Sequence, residues 1–302
     1  MPQFTCNICG AMCSVDYALS DLPQEEPTCC CGSTVRFRWI VHALSVELFG
    51  ESLTLPSFPE MRQIKGIGMS DCPAIAEPLH REKFDYENTF YHREPRLDIM
   101  DENSGKTESY DFIVSSEVFE HVPPPAQLAF NNLFRLLKPR GFAVFSTPWA
   151  PDGHTREHFP LLYDWQIVNL RSGPVLVNRT ANGELQIIGE NLVFHGGPGE
   201  TLEMRLYSKD DLEKHFRTAG FEEIEIAEIE TSLEYGICWR PWSRGFVVRK
   251  SHRAGPLVSA EQREAAAAAV SHKAECGETT AITGAGNPQA GTESASDPAP
   301  RC

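Results

Sequence analysis

The chain has 302 residues, 41% of them hydrophobic, and a formal charge of −15 at pH 7. That length accommodates one full α/β core with small additions rather than two equal domains. The acidic balance repels phosphate backbones and anionic lipid, so nucleic acid is not an expected partner. No stretch approaches the ~20 apolar residues of a membrane span, and the first residues lack a basic stretch followed by an apolar run, so a soluble, cytoplasmic protein is expected.

The chain opens on a cysteine-rich segment. Cys6-x-x-Cys9-Gly10 is a knuckle that turns two thiolates toward one point, and a second cysteine-glycine turn ends at Gly32. Six of the ten cysteines lie within the first 31 residues, and with no secretion signal in view this cluster reads as metal ligands rather than disulfides. Cys29, Cys30 and Cys31 are consecutive, so the second pair is Cys29 with Cys31, or Cys13 takes one place. The expected set is Cys6, Cys9, Cys29 and Cys31, in a zinc-ribbon-like segment over residues 1–34. Four thiolates close the coordination shell, so the zinc is structural, contributing on the order of 10 kcal/mol to a segment with almost no core of its own.

Val35 to Phe49 is an apolar helix with Trp39, Ile40, Ala43, Leu44 and Leu48 on its inner face, expected to pack across a sheet edge. Its Arg36 and Arg38 either meet an anion or form a solvated or ribbon-contacting pair. From Gln63 a strand runs into Gly66-Ile67-Gly68-Met69-Ser70, and Ala74 to Lys83 behind it is helical in composition. A glycine-bearing loop between strand and helix brings backbone close to a ligand, because glycine removes the side chain from the contact. Two glycines alone fall short of the nicotinamide fingerprint, which needs a third. Tyr86 to His92 reads as the next strand.

Tyr110 to Trp149, YDFIVSSEVFEHVPPPAQLAFNNLFRLLKPRGFAVFSTPW, is the centre of the chain. Asp111 to Val114 is a strand buried on both faces. Ser115, Ser116 and Glu117 lead through Glu120 and His121 to three prolines, which stop one element and preset the next. Ala126, Ala129, Phe130, Leu133, Leu136 and Leu137 recur at helical spacing up to Lys138-Pro139-Arg140-Gly141, and Phe142 to Phe145 is a second buried strand. Strand, helix, strand is a right-handed parallel crossover, and in such sheets ligands sit beyond the carboxyl ends of the strands.

These residues resemble the central segment of class I S-adenosylmethionine-dependent methyltransferases, which reads as an aspartate-led strand, a Glu-His pair, a helix ending in Leu-Lys-Pro-Gly-Gly, and a strand ending in Thr-Pro. Arg140 replaces the first of the two glycines. The resemblance covers roughly residues 64–250. It implies an α/β fold, a doubly wound Rossmann-like sheet with a closing antiparallel hairpin, over residues 35–250. It also implies S-adenosyl-L-methionine as cofactor, held by Gly66, Gly68 and Ser70 in the glycine loop and by Ser115 and Glu117 past the central strand. The glycine loop departs from the family in having two glycines rather than three and no acid at the expected place. A rival register makes Gly66 to Ser70 the end of the second strand, with Gly68 at the ribose acid; the register with Gly66 to Ser70 on the first strand is preferred. Glu94 then faces the ribose hydroxyls, Asp98 accepts from the adenine amino group, and Ile99 offers its amide and an apolar wall.

After Trp149 the sequence is loop-like and supplies His154 and His158, in an accessory insertion over about 151–207. Either histidine is able to accept an acceptor's proton near neutral pH, and His121 stands third. A hairpin about Asn182-Gly183 lies within the insertion, and His195 to Gly199 reads as a lid hinge or a turn. Ser208 caps a helix that reaches Gly220, Phe221 to Ile229 alternates, and Gly245 to Arg249 is the last strand. From Ser251 to residue 302 composition predicts a disordered tail. The resemblance implies methyl transfer to a small-molecule acceptor, such as a hydroxyl of a saccharide intermediate. The alternative is a non-catalytic, partner-binding scaffold with a degenerate cofactor loop.

Overall fold

The computed structural model describes residues 1–150, 153–195 and 201–266. Strands β1 (Gln3–Thr5) and β2 (Met12–Ser14) form an antiparallel hairpin whose turn is the first cysteine knuckle. Helix α1 (Val35–Phe49) has the expected bounds: the Thr34 side chain accepts from the Phe37 amide at its start, and Gly50 ends it in the left-handed conformation. Its expected place at a sheet edge is corrected. α1 lies on the sheet face against two interior strands, because Val35, Trp39, Ile40, Val41, Leu44 and Leu48 are all buried. A helix apolar nearly all round needs cover on both sides. The sheet supplies one side, and Phe4, Cys6 and Ile8 of the hairpin join the same core on the other.

Then follow β3 (Lys65–Met69), α2 (Pro73–Pro78, prolonged by a wider turn over Leu79–Lys83), β4 (Asp85–Thr89), β5 (Tyr110–Ser116), α3 (Gln127–Leu136) and β6 (Leu137–Ser146). These strands are parallel, with β3 between β4 and β5. That topology matches the register placing Gly66 and Gly68 on the first strand and Tyr86 on the second.

The insertion carries β7 (Arg156–Glu157), β8 (Asp164–Leu170), β9 (Gly173–Arg179), β10 (Leu185–Ile188), β11 (Phe194–His195), β12 (Thr201–Leu202) and β13 (Arg205–Leu206). The hairpin about Asn182-Gly183 is β9–β10; β8 adds a third strand, and β13 returns to pair with β7. Residues 196–200, most of the suggested lid hinge, lie outside the described residues.

Helix α4 (Lys209–Ala219) is capped by Ser208, which accepts from the Asp211 amide, and ends at Gly220. β14 (Glu223–Ile226) and β15 (Gly245–Arg249) close the sheet as an antiparallel hairpin, in the order β14-β15-β6-β5-β3-β4. The sheet is doubly wound. Phe112, Val114, Phe142 and Val144 face the core shared with α1, while Ile113, Ala143, Phe145 and Phe246 face the core shared with α3 and α4.

A disordered tail beginning at 251 is also corrected. Leu257 and Val258 amides donate to the Glu47 and Leu48 carbonyls at 2.9 Å, Val258 is buried, and Arg253 pairs with Glu47. Backbone bonds to the last turn of α1 hold a stretch that has few core formers of its own. Residues 267–302 lie outside the described residues. Among the described residues no helix is long and apolar enough to cross a membrane.

Candidate active site

Strands β3, β5 and β6 end side by side, and the chain leaves two of them through non-glycine residues in the left-handed region, Ser70 at φ 61° and Glu117 at φ 55°. Each is pinned by its amide: Ser70 donates to the Thr89 carbonyl at 2.8 Å and Glu117 to the Ser146 carbonyl at 2.9 Å. Such conformations cost about 1–3 kcal/mol and persist where the surroundings over-determine them. The Glu117 carboxylate accepts from the Ser146 hydroxyl at 3.0 Å. Ser146 and Ser116 hydroxyls lie 2.9 Å apart, and Ser116 accepts from Arg36 Nη1 at 2.6 Å. Arg36 also reaches Glu25 at 2.8 Å and lies 4.0 Å from Glu117. Burial pushes the Glu117 carboxyl above its ordinary range, and Arg36 opposes that rise. Of the two arginines, Arg36 therefore stands at the strand ends. Arg38 is buried under the hairpin, bonded to Thr28, Ser33 and the Gly236 carbonyl.

The glycines of β3 meet the protein's own side chains. A Cβ on Gly66 would collide with the Phe112 ring, and one on Gly68 with the Tyr86 hydroxyl and the Asp71 carboxylate. The Tyr86 and Phe112 rings stack with centroids 5.8 Å apart. Asp71, not anticipated from sequence, is buried with its Oδ2 accepting from Tyr86 and its Oδ1 unpartnered. Its amide donates to Asn88 Oδ1 and its carbonyl accepts from Asn88 Nδ2, both at 2.9 Å. Burial pushes Asp71 up to about 7, against the Tyr86 bond and the Arg36 charge.

On the other side of β5, residues 119–121 form a single 3-10 turn that directs Glu120 inward. The Glu120 carboxyl accepts from the Thr147 hydroxyl at 3.0 Å; burial and then the neighbouring Glu117 push it well above the ordinary range. His121 Nδ1 donates to the Leu202 carbonyl at 3.0 Å. The insertion is clamped onto this turn, Met204 N–H donating to the Glu120 carbonyl at 2.8 Å and the buried Arg205 to the Val122 carbonyl at 2.5 Å. The clamp brings His158 and His195 to opposite oxygens of Glu203, at 2.8 and 3.6 Å. His121 and His158 thus approach one cluster, joined by His195 and Glu203, which sequence reasoning missed. The Glu117-x-x-Glu120-His121 spacing was a local signal for Glu120; nothing local signals His195 or Glu203.

The remaining expected site residues are spread out. Ser115 is buried in β5 with its hydroxyl unpartnered. Glu94 is exposed past β4 and accepts from the Arg96 amide at 2.9 Å. Asp98 caps its own loop, accepting from the Met100 amide and donating its amide to Ser104, both at 3.0 Å. Ile99 is buried, and its carbonyl accepts from Asn132 at 2.8 Å. His154 is exposed in the loop before β7.

At the front of the chain, Cys6, Cys9, Cys29 and Cys31 offer four sulfurs within 4.8 Å of one another. The Cys6–Cys31 and Cys9–Cys29 sulfur pairs are each 3.6 Å apart. Cys13 lies outside this group, directed at the Ala11 carbonyl.

Parts of the chain are similar to known proteins. The chain is 32% identical over 84 residues to a ubiquinone biosynthesis O-methyltransferase from Acinetobacter baumannii (strain AYE), 28% of this chain and 34% of that protein. It is 28% identical over 175 residues to a beta-xylosidase from Geobacillus stearothermophilus, 55% of this chain and 31% of that protein. The chain thus spans about a third of the length of these curated relatives. A solved S-adenosylmethionine-dependent methyltransferase from Clostridium acetobutylicum superposes with a TM-score of 0.37 at 13% identity, covering 62% of this chain and 84% of that one. A family model described as a methyltransferase domain matches residues 57–226, from before β3 through β14, so the chain belongs to the methyltransferase-domain family.

Proposed function

We propose that this protein transfers a methyl group from S-adenosyl-L-methionine to a hydroxyl of a small-molecule acceptor. The observation that carries the reading is the edge itself: strained, polar Ser70 and Glu117 at the ends of β3 and β5, flanked by a histidine–carboxylate cluster on one side. The residues fit a polar cofactor. Asp71 Oδ1 and Ser115 Oγ are buried polar atoms without partners, and groups of that kind are otherwise rare. Ser70, Asp71, Ser115 and Glu117 would hold the cofactor, with Gly66 and Gly68 shaping the strand beneath it; Asp98 and Ile99 are assigned to the adenine and Glu94 to the ribose. When bound, the cofactor supplies an electrophilic methyl on a sulfonium. In the transfer the acceptor oxygen–carbon bond forms as the carbon–sulfur bond breaks, and the hydroxyl proton must leave. His158, oriented by Glu203, is the proposed base, with His121 and His154 as alternatives.

A saccharide intermediate is the acceptor we favour. A cavity of about 400 Å³ past β6 is lined by Trp149, Trp242, Lys209, Asp210 and Arg244, and aromatic faces beside charged groups suit the apolar and hydroxyl faces of a sugar. Zinc on Cys6, Cys9, Cys29 and Cys31 is proposed as structural: thiolates at 2.3 Å around a tetrahedral ion lie about 3.8 Å apart, close to the 3.6 Å seen for two pairs.

A second reading is a partner-binding domain without activity. It is favoured by the Phe112 and Tyr86 side chains filling the space over Gly66 and Gly68. Calorimetric titration with S-adenosylhomocysteine separates the two. Binding in the micromolar range supports the enzyme, and no heat at millimolar ligand leaves the scaffold. His158→Ala should then lower turnover by about 10²-fold with cofactor affinity unchanged. A matched loss of affinity would move His158 into the cofactor pocket.

A further inference from the structure

Apart from the cysteines, the turn after β5 and the returning strands of the insertion assemble a second group of metal-binding side chains. A carboxylate oxygen of Glu120 and ring nitrogens of His121 and His195 all lie within 4.8 Å of one another. We propose that Glu120, His121 and His195 bind a divalent first-row transition-metal cation, with Glu203 orienting His195.

Glu120 is fully buried, and only one of its oxygens is used, by Thr147 at 3.0 Å. The other, Oε1, has no hydrogen-bond partner and lies 3.7 Å from His121 Nε2. An interior oxygen left without a donor is costly, and a cation satisfies it. His121 donates Nδ1–H to the Leu202 carbonyl, which fixes the tautomer and leaves the Nε2 lone pair on the Glu120 side. Metal-binding histidines are oriented in this way, with the far nitrogen held by a carbonyl or carboxylate. His195 sits edge-on to His121 with ring centroids 4.6 Å apart, and its Nε2 is 3.6 Å from Glu203 Oε2. Ligands about 2.1 Å from one ion lie roughly 3 to 4.2 Å apart, so small side-chain rotations close the site.

Two imidazoles and one carboxylate suit Zn²⁺, Fe²⁺, Co²⁺ or Mn²⁺ and leave positions open for an oxygen ligand. Glu120 and His121 come from the turn that the insertion clamps, and His195 and Glu203 from the insertion itself, so the site exists only in the docked arrangement. An acceptor hydroxyl on an open position would be more readily deprotonated. That use rests on the methyl-transfer reading; cation binding does not.

The test is titration of the full chain with Mn²⁺, read by loss of the free-ion paramagnetic resonance signal, and with Co²⁺, read in visible absorption, where nitrogen–oxygen sites and thiolate sites differ. One nitrogen–oxygen site per chain is expected. His195→Ala and His121→Ala should each weaken it by about tenfold or more, while His92→Ala, past β4 at the sheet edge, should not. The His195 side chain is 43% exposed, so its removal leaves the core intact, and circular dichroism checks this. Absence of such a site for both ions below millimolar concentration overturns the proposal, as does binding indifferent to His195 and His121. If the cation binds while S-adenosylhomocysteine does not, the site stands and the methyl-transfer reading falls.

Discussion

The two additions to the sheet, the cysteine hairpin and the β7–β13 insertion, deliver side chains to the same end of β5 by opposite constructions. The hairpin is fused to the main core: Phe4, Cys6, Ile8 and Leu22 pack with α1, and Arg38 ties the segment to the Gly236 carbonyl. The insertion keeps a small core of its own, Phe159, Leu176, Leu202 and Met204, and touches the body through its clamp on residues 120–122. Glu25 beside Arg36 therefore belongs to the global fold, whereas His195 and Glu203 belong to a unit with a separate core, which is expected to open more readily than the sheet.

The largest effect that bears on this contrast is expected from Cys9→Ser combined with Cys29→Ser. Losing a four-thiolate site removes on the order of 10 kcal/mol, comparable with the whole stability of a domain. With the proposed zinc site lost, the variant should carry no zinc and should unfold far below the wild type. A metal-free variant melting at the wild-type Tm would detach the hairpin from the core.

Asp71 tests the same side of the sheet through pH, since Arg36 of α1 acts on it. Burial raises its pKa from 3.8 to about 7, so the folded state binds a proton that the unfolded state has already released. Stability therefore falls as pH rises between these values, by on the order of 4 kcal/mol at 1.36 kcal/mol per unit. Asp71→Asn should flatten that decline and be more stable than wild type above pH 7 in urea unfolding. A decline of unchanged slope would assign it to another group.

In the insertion, Leu176→Ala should cost about 3 kcal/mol, but locally. Hydrogen exchange should speed up in β8–β10 while amides of β5 and β6 keep their protection. Uniform loss across the sheet would mean that the insertion is fused as well. The smallest contrast is between two left-handed glycines. Gly183, at φ 85°, has nothing within 4 Å of an added Cβ; Gly236, at φ 61°, would place one 2.7 Å from the Phe4 ring. Gly183→Ala should cost roughly 1 kcal/mol, and Gly236→Ala roughly 2 kcal/mol because Phe4 must also move. Equal shifts in Tm would erase the distinction.

The elements were legible where an apolar period met a cap, as in Val35–Phe49 between Thr34 and Gly50 and Lys209–Ala219 between Ser208 and Gly220. Apolar runs located the sheet for the same reason. β8 escaped because Asp164–Leu170 is half-polar and takes its order from pairing with β9. Candidate site residues adjacent to strand ends, such as Glu117 and His121, can be read from one segment. Arg36 meets Ser116 across 80 positions and His121 meets Leu202 across 81, and no local pattern encodes such pairs. Gly66 and Gly68 announced a close approach without naming the Phe112 and Tyr86 side chains that make it.

The hairpin's partners also lie far along the chain. Arg240 donates its amide to Gln24 at 2.9 Å across 216 positions, and its guanidinium reaches the carbonyls of Ser20, Asp21 and Leu22. During synthesis at ~5–20 residues per second, the front of the chain waits roughly 10 to 40 s for these contacts. In that interval Phe4 and Ile8 have α1 beside them but lack the cover of Tyr235, Ile237 and Trp239, and zinc on the four thiolates, as proposed, would hold the hairpin's shape. Metal capture would then precede completion of the sheet, and cells starved of zinc during expression would accumulate aggregated nascent chains rather than folded apoprotein.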